Sequence, residues 1–231
     1  MSVLSELAAV VNPQGISNQP VFSEKFKVRT VELEQSMHFN VPKATKQLDG
    51  IVFGRVDGTL NSALEHDIWE AGDALEGRNS SVSCFMTQWK MHEDYESFRT
   101  LGQIAIDFTD NLALALRTNN DGTPDPISFF VNETWGLIYR QGHICKAHTH
   151  WPSVWSYTYC VSACENCAPL MFPTVDEDYS IAPKIGQLTV FPSWVNHYVP
   201  EHECDHERIM ISGNIDVKWY DEYETRTKIP S

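Results

Sequence analysis

The residues of this chain best suited to chemistry lie between Gly142 and Arg208. His148 and His150 stand two apart, His197 follows a segment that opens at Gly186 and turns at Pro192, and Arg208 lies eleven residues beyond His197. Side chains alternate across a β-strand, so a strand through 148–150 would present both imidazoles on one face, where they can grip one ion. A third imidazole from a later strand would complete one face of an octahedron. The remaining positions stay open for substrate and O2, which is what non-haem Fe(II) chemistry requires. Taken singly, each histidine is more commonly a surface group or a hydrogen-bonded core group. The spacing is what singles out His148, His150 and His197 as metal ligands and makes the chain look like an enzyme. His143, His202 and His206 lack such a partner and are expected to stay unligated, the last two in an acidic, solvated loop over 201–207.

Arg208 carries the next step. A buried guanidinium offers a planar fork of donors that matches a carboxylate. On a strand after the last ligand, and sharing a strand face with Met210 and Ser212, it is placed to hold the distal carboxylate of 2-oxoglutarate while the keto-acid end chelates iron. Ser212, Tyr139 or Tyr159 would add a hydroxyl to the same pocket. The plainer alternatives are a surface ion pair of Arg208 with Glu207 or Asp205, worth little, and core packing for the tyrosines. Trp151, Trp155 and Trp194 border the ligands and are expected either to line a substrate cleft or to pack on its rim.

These residues need a scaffold, and the periodicities describe one. Residues 26–33 alternate as an edge or supporting strand. Apolar positions 60, 64, 68, 71 and 75 recur at helical spacing behind a cap at Asp57 or Thr59, and positions 98, 101, 105, 108, 112 and 115 do so for about five turns until Asn119, Asn120, Asp121 and Gly122 break them. Two amphipathic helices therefore precede the site. After Pro126 come short β-rich runs at 128–132, 135–139, 156–161, 169–172, 187–191 and 208–215, mostly separated by Gly, Pro, Asn or Asp. This is the pattern of an antiparallel barrel or double-layered jelly roll, a mainly β fold with supporting helices. No repeat or low-complexity tract interrupts it. At 231 residues the chain is expected to form a single domain, with a helical and strand support region over 1–125, the metal-bearing β core over 126–220 and a polar tail over 221–231 that frays.

Composition excludes several classes. The net charge of −14, from 31 acidic against 17 basic residues, repels phosphate backbones, so nucleic acid is not an expected partner. The first residues lack a basic stretch followed by an apolar one, and about 18 apolar residues nowhere run together, so a soluble cytoplasmic protein is expected, with no membrane partner. Cys84, Cys145, Cys160, Cys164, Cys167 and Cys204 are then expected as free thiols on or near the barrel wall. The spacing Cys160-x3-Cys164-x2-Cys167 also admits a zinc site closed by His202, Cys204 or His206, against which stands the lack of a second tight pair. A homodimer is the base-rate oligomer.

The segment running from Trp135 through Gly142, His148, His150 and Tyr159, then residues 169–172, Gly186 to Ser193, His197 and 208–214, resembles the 2OG-Fe(II) oxygenases of marine phages and bacteria, relatives of the prolyl-hydroxylase-like group. Residues 80–92 are similar to that family's lead-in, so the resemblance spans about residues 78 to 216. It implies a double-stranded β-helix, Fe(II), 2-oxoglutarate and O2, and hydroxylation of a substrate with release of succinate and CO2; a phage-encoded enzyme would act in the host cytoplasm. The wider superfamily usually pairs His-x-Asp/Glu with a distal histidine, whereas position 150 is His here, so the resemblance implies three histidines. Three neutral imidazoles leave more positive charge on the metal, favouring an anionic ligand. The rival enzyme is a metal-dependent cupin that does not use 2-oxoglutarate; Gly142-x5-His148-x-His150 fits its first motif, but the Glu after His150 and a later Asn are missing. A rival of another class is a non-catalytic metal-binding barrel. The substrate, small molecule or peptide, is not written in these residues, because fold and cofactor do not fix it.

Overall fold

A computed structural model describes residues 20–22, 27–40, 47–56, 58–74, 81–114, 127–173 and 178–219. In chain order the elements are β1 (Pro20–Phe22), β2 (Lys27–Asn40), β3 (Gln47–Val56), helix α1 (Asn61–Ala71), β4 (Val82–Ser83), β5 (Phe85–Met86), a single turn α2 (Met91–Asp94) and the long helix α3 (Glu96–Leu114). Then come β6 (Ile127–Tyr139), β7 (Ile144–His148), β8 (Trp155–Ser162), β9 (Leu170–Phe172), β10 (Tyr179–Ile181), β11 (Gln187–Pro192), β12 (His197–Val199) and β13 (Arg208–Trp219). The strands form an eight-stranded sheet in the order β1-β2-β3-β11-β8-β13-β6-β5 and a five-stranded sheet in the order β10-β9-β12-β7-β4. Their pairings are antiparallel, and the two sheets make a double-stranded β-helix.

Period-two alternation explains how the large sheet is buried on both faces. On β6, Trp135, Leu137 and Tyr139 point between the sheets and Ile138 points the other way. On β8, Cys160 faces inward while Tyr157, Tyr159 and Val161 face outward; on β13, Met210 faces inward and Ile209 and Ile211 outward. The outward set packs against Leu64 and Ile68 of α1 and Phe98, Leu101, Ala105 and Phe108 of α3, which is why those helices carry their apolar positions three and four apart. The inward set meets Phe172, Val195 and Val199 and walls the space where the histidines lie. Contact between the layers is close: a Cβ on Gly136 would come 2.4 Å from Cγ1 of Ile68 on α1.

The elements depart from the sequence reading in four ways. The runs at 128–132 and 135–139 are one strand, β6, because β13 pairs along its whole length, with a single register shift at Asn214/Ile215. The strand expected through 148–150 is β7, which ends at His148, and the later strand expected to deliver His197 is β12, only three residues long. The helix α1 follows a 3-10 turn at Gly58–Leu60 and has Leu60, not Thr59, at its N-cap position, with no side-chain cap bond from it. Finally, β3 pairs with β11 of the core, so the support region contributes strands to the sheet that carries the site. The alternation at 26–33 appears as part of β2, between β1 and β3. Residues Phe26, Asp57, Leu75 and Ala115, the break at 119–122 and the tail at 221–231 lie outside the described residues.

Candidate metal centre and cosubstrate pocket

Strand pairing and one loop bring the three histidines together. His148 ends β7 and is in register with His197 at the start of β12. A turn at 140–143 reverses the chain from β6 into β7; Gly142 takes φ +84° there, in the left-handed region that favours glycine. His150 arrives differently from the sequence expectation. The strand stops at His148, so the two side chains are not alternate residues of one strand; a loop carries His150, and its N–H donates to the Ser193 carbonyl at 2.8 Å. The ligand nitrogens of His148, His150 and His197 all lie within 4.8 Å of one another.

The hydrogen bonds fix which nitrogens are free. Nδ1 of His148 donates to the Lys146 carbonyl at 2.8 Å and Nδ1 of His197 to the Val195 carbonyl at 3.0 Å. A carbonyl only accepts, so the proton sits on Nδ1 and the Nε2 lone pair of each ring is left for a metal. Nε2 of His150 lies 3.2 Å from Nε2 of His197. Two nitrogens bound at right angles to one ion at about 2.1 Å would lie about 3.0 Å apart, so the spacing fits a shared cation. Burial lowers all three imidazoles below the ordinary histidine value: His148 by desolvation, His150 to about 4 and His197 to about 3 by desolvation and then by the neighbouring rings. They are neutral, as ligands must be. Cys145 also lines the site, but its sulfur lies 3.6 Å from Nδ1 of His148, and burial pushes its thiol up to about 11, so it is no thiolate ligand.

The histidines open onto a cavity between the sheets, whose wall also includes Tyr139, Arg208, Met210, Ser212, Trp135 and Leu137. Arg208, Met210 and Ser212 share the inner face of β13, as expected. Arg208 is only 2% exposed, and its guanidinium lies 4.8 Å above the Tyr139 ring. The surface ion pair does not form: Glu207 accepts instead from Nε of Arg140 at 2.8 Å, and among the described residues no carboxylate pairs with Arg208. Nε of Arg208 and Nε1 of Trp135 are buried without a hydrogen-bond partner. Such orphan donors on a cavity wall suit an anionic ligand rich in acceptors. Burial raises the Tyr139 phenol well above its usual range, so it stays a donor.

Three expectations are corrected by placement. Tyr159 is not on the cavity wall; it faces the helices, where its hydroxyl donates to Oδ1 of Asn61 at 2.6 Å. Trp155 packs against that same outer core, while Trp151 and Trp194 are exposed. The loop at 201–207 is not simply solvated. His202 is fully buried, accepts from the Ala168 N–H at Nδ1 and donates from Nε2 to the His206 carbonyl. Trp135 and Phe191 were missed as site residues. Phe191 places its ring 4.8 Å from His197 and Trp135 lies 5.7 Å from His150, and the only signal for either was inward alternation on β6 and β11. The cysteines are free thiols, and Cys145 and Cys160 are buried in the inner core.

Residues 171–214, which include His197 and Arg208, match a family model described as "Putative 2OG-Fe(II) oxygenase". No curated protein matches the chain. Among solved structures, the viral collagen prolyl hydroxylase of Paramecium Bursaria Chlorella virus-1, in complex with 2OG, is similar at TM-score 0.54 and 14% identity, over 71% of this chain and 94% of that one. A Pseudomonas putida prolyl-4-hydroxylase is similar at TM-score 0.51 and 20% identity, over 72% and 92%. HygX from Streptomyces hygroscopicus, with nickel and 2-oxoglutarate bound, is similar at TM-score 0.52 and 7% identity, over 72% and 82%. At these identities the likeness is one of fold. Among the described residues no helix is long and apolar enough to cross a membrane. Residues 171–214 are thus similar in sequence to the 2OG-Fe(II) oxygenases, and most of the chain shares the fold of the two prolyl hydroxylases.

Proposed function

We propose that this protein is a non-haem Fe(II)- and 2-oxoglutarate-dependent dioxygenase that hydroxylates a small-molecule or peptide substrate, with release of succinate and CO2. The observation that carries the reading is Arg208, a buried cation without a carboxylate partner on the wall of the cavity that holds three neutral histidines. Burying an uncompensated charge is costly, and a dicarboxylate cosubstrate would compensate it.

His148, His150 and His197 would hold Fe(II) through Nε2, and the bound metal would supply the activation of O2 and the oxidative decarboxylation of 2-oxoglutarate. The chain's own residues do the positioning. Arg208 takes the distal carboxylate through its fork of donors, with its plane fixed over the Tyr139 ring. Tyr139, protonated, and Ser212 on the same wall are the neighbouring hydroxyls. Because no ligand is a carboxylate, the site keeps the full charge of the ion, which strengthens its hold on an anion. Leu137, Leu170, Val199 and Phe191 line the rest of the cavity and exclude water.

The test is succinate formation from 2-oxoglutarate by the full chain with Fe(II) under air. His197→Ala is expected to abolish it. Arg208→Ala is expected to raise the KM for 2-oxoglutarate roughly 10- to 100-fold, the loss of a hydrogen-bonded ion contact. Iron-dependent activity that ignores both 2-oxoglutarate and Arg208 would point to a cupin-type enzyme.

A further inference from the structure

We propose that Cys164, Cys167 and Cys204 bind a zinc ion in a second site, separate from the histidine centre, that ties the loop after β8 to the loop before β13. The three ligand sulfurs form one of the clusters in which every donor lies within 4.8 Å of the others. Their separations are 3.5 Å for Cys164 to Cys167, 3.5 Å for Cys164 to Cys204 and 3.9 Å for Cys167 to Cys204. A tetrahedral zinc with bonds of about 2.3 Å to sulfur spaces its sulfurs about 3.8 Å apart. The circle through these three sulfurs has a radius of about 2.1 Å, so an ion at that bond length would stand about 0.9 Å off their plane, close to the roughly 0.8 Å of an ideal tetrahedron.

The backbone is arranged around sulfur as well. Cys164 and Cys167 form a C-x2-C turn in which the Cys167 N–H donates to the Cys164 carbonyl at 3.2 Å and the Cys164 N–H to the sulfur of Cys167 at 3.2 Å. The His206 N–H donates to the sulfur of Cys204 at 3.3 Å. Donors aimed at sulfur stabilise the thiolate form that a metal needs. Topology explains why residues so distant in sequence meet. The strands β8 and β13 are antiparallel neighbours, with Ser162 opposite Ile209, so the exit of β8 and the entry of β13 lie at one edge. Cys164 and Cys167 follow that exit, and Cys204 precedes that entry by four residues. Among the described residues no fourth His, Cys, Asp or Glu joins the cluster, which leaves one coordination position for solvent. Three thiolates form a soft donor set of the kind that suits zinc. Binding would release the thiol protons and close a long loop beside Arg208.

The experiment uses the 231-residue chain with zinc alone, and the variant carrying His148→Ala and His197→Ala to remove the other centre. Elemental analysis after desalting should find one zinc per chain in the histidine variant and none when Cys164→Ser/Cys204→Ser is added to it. Alkylation mapped by peptide mass spectrometry covers the case in which the cysteine variant does not fold. Zinc should slow modification of Cys164, Cys167 and Cys204 in the unmutated chain at least 10-fold, and a chelator should restore it. Equal alkylation with and without zinc, or zinc lost with the histidines, would overturn the proposal.

Discussion

Arg208 shows most clearly how one side chain separates function from stability. A charge kept 2% exposed without a carboxylate partner does not help the folded state. Arg208→Met, which keeps much of the volume, is therefore expected to leave the thermal midpoint of the ligand-free protein unchanged or higher while binding of 2-oxoglutarate is lost; a drop of several degrees would mean the arginine is structural. The histidines lead to a second expectation. In the fold, His150 and His197 hold protons only below about 4 and about 3, because burial disfavours their charge. The unfolded chain protonates near 6.5. Between those values the unfolded state binds more protons, so stability rises with pH and is lost on acidification. The metal-free protein should thus melt lower at pH 5 than at pH 7, and His197→Asn should shrink that difference. An equal difference in both proteins would show that the ring is not held neutral by the fold.

The β8–β13 pair is where packing sets the tolerance of the site. A Cβ on Gly213 would lie 2.5 Å from the Tyr157 ring, so Gly213→Ala forces either the strand or the ring to move. Overpacking of this kind costs roughly 1–3 kcal/mol, and the melting temperature should fall by several degrees; an unchanged melt would mean the ring has room to swing. Such contacts also mark what the sequence made legible. Helices α1 and α3 and strands β8, β11 and β13 were readable because each packs an apolar face at a regular period. Strands β7 and β12 were expected only from the histidine spacing, and their bounds were not legible, because each is short and is fixed by its pairing with the other. The meeting of the three histidines was legible from spacing even though the geometry assumed for it was wrong: His150 is held by a loop bond to Ser193 and not by strand alternation. Tyr159 was misplaced by one step of the period-two pattern, which sends Thr158 and Cys160 inward and the tyrosine outward. The meeting of Cys204 with Cys164 and Cys167 depends on the β8–β13 register, which spacing alone does not contain.

Taken as a whole, the molecule sets a cavity lined by a buried arginine inside a strongly acidic protein. The net charge of the chain is −14. Inside, an arginine that pairs with no carboxylate among the described residues and three histidines share one wall system between two sheets, and the helices buttress the far side of the larger sheet. The arrangement stands or falls on whether iron and 2-oxoglutarate occupy that cavity together. Anaerobic loading of the protein with Fe(II), followed by titration with 2-oxoglutarate, reads this without knowledge of the substrate, through the weak visible metal-to-ligand charge-transfer band of the chelate. The band should grow to saturation in the unmutated protein, require much higher 2-oxoglutarate in Arg208→Ala and be absent in His197→Ala. Iron bound at one equivalent with no band at any 2-oxoglutarate concentration would contradict the assignment.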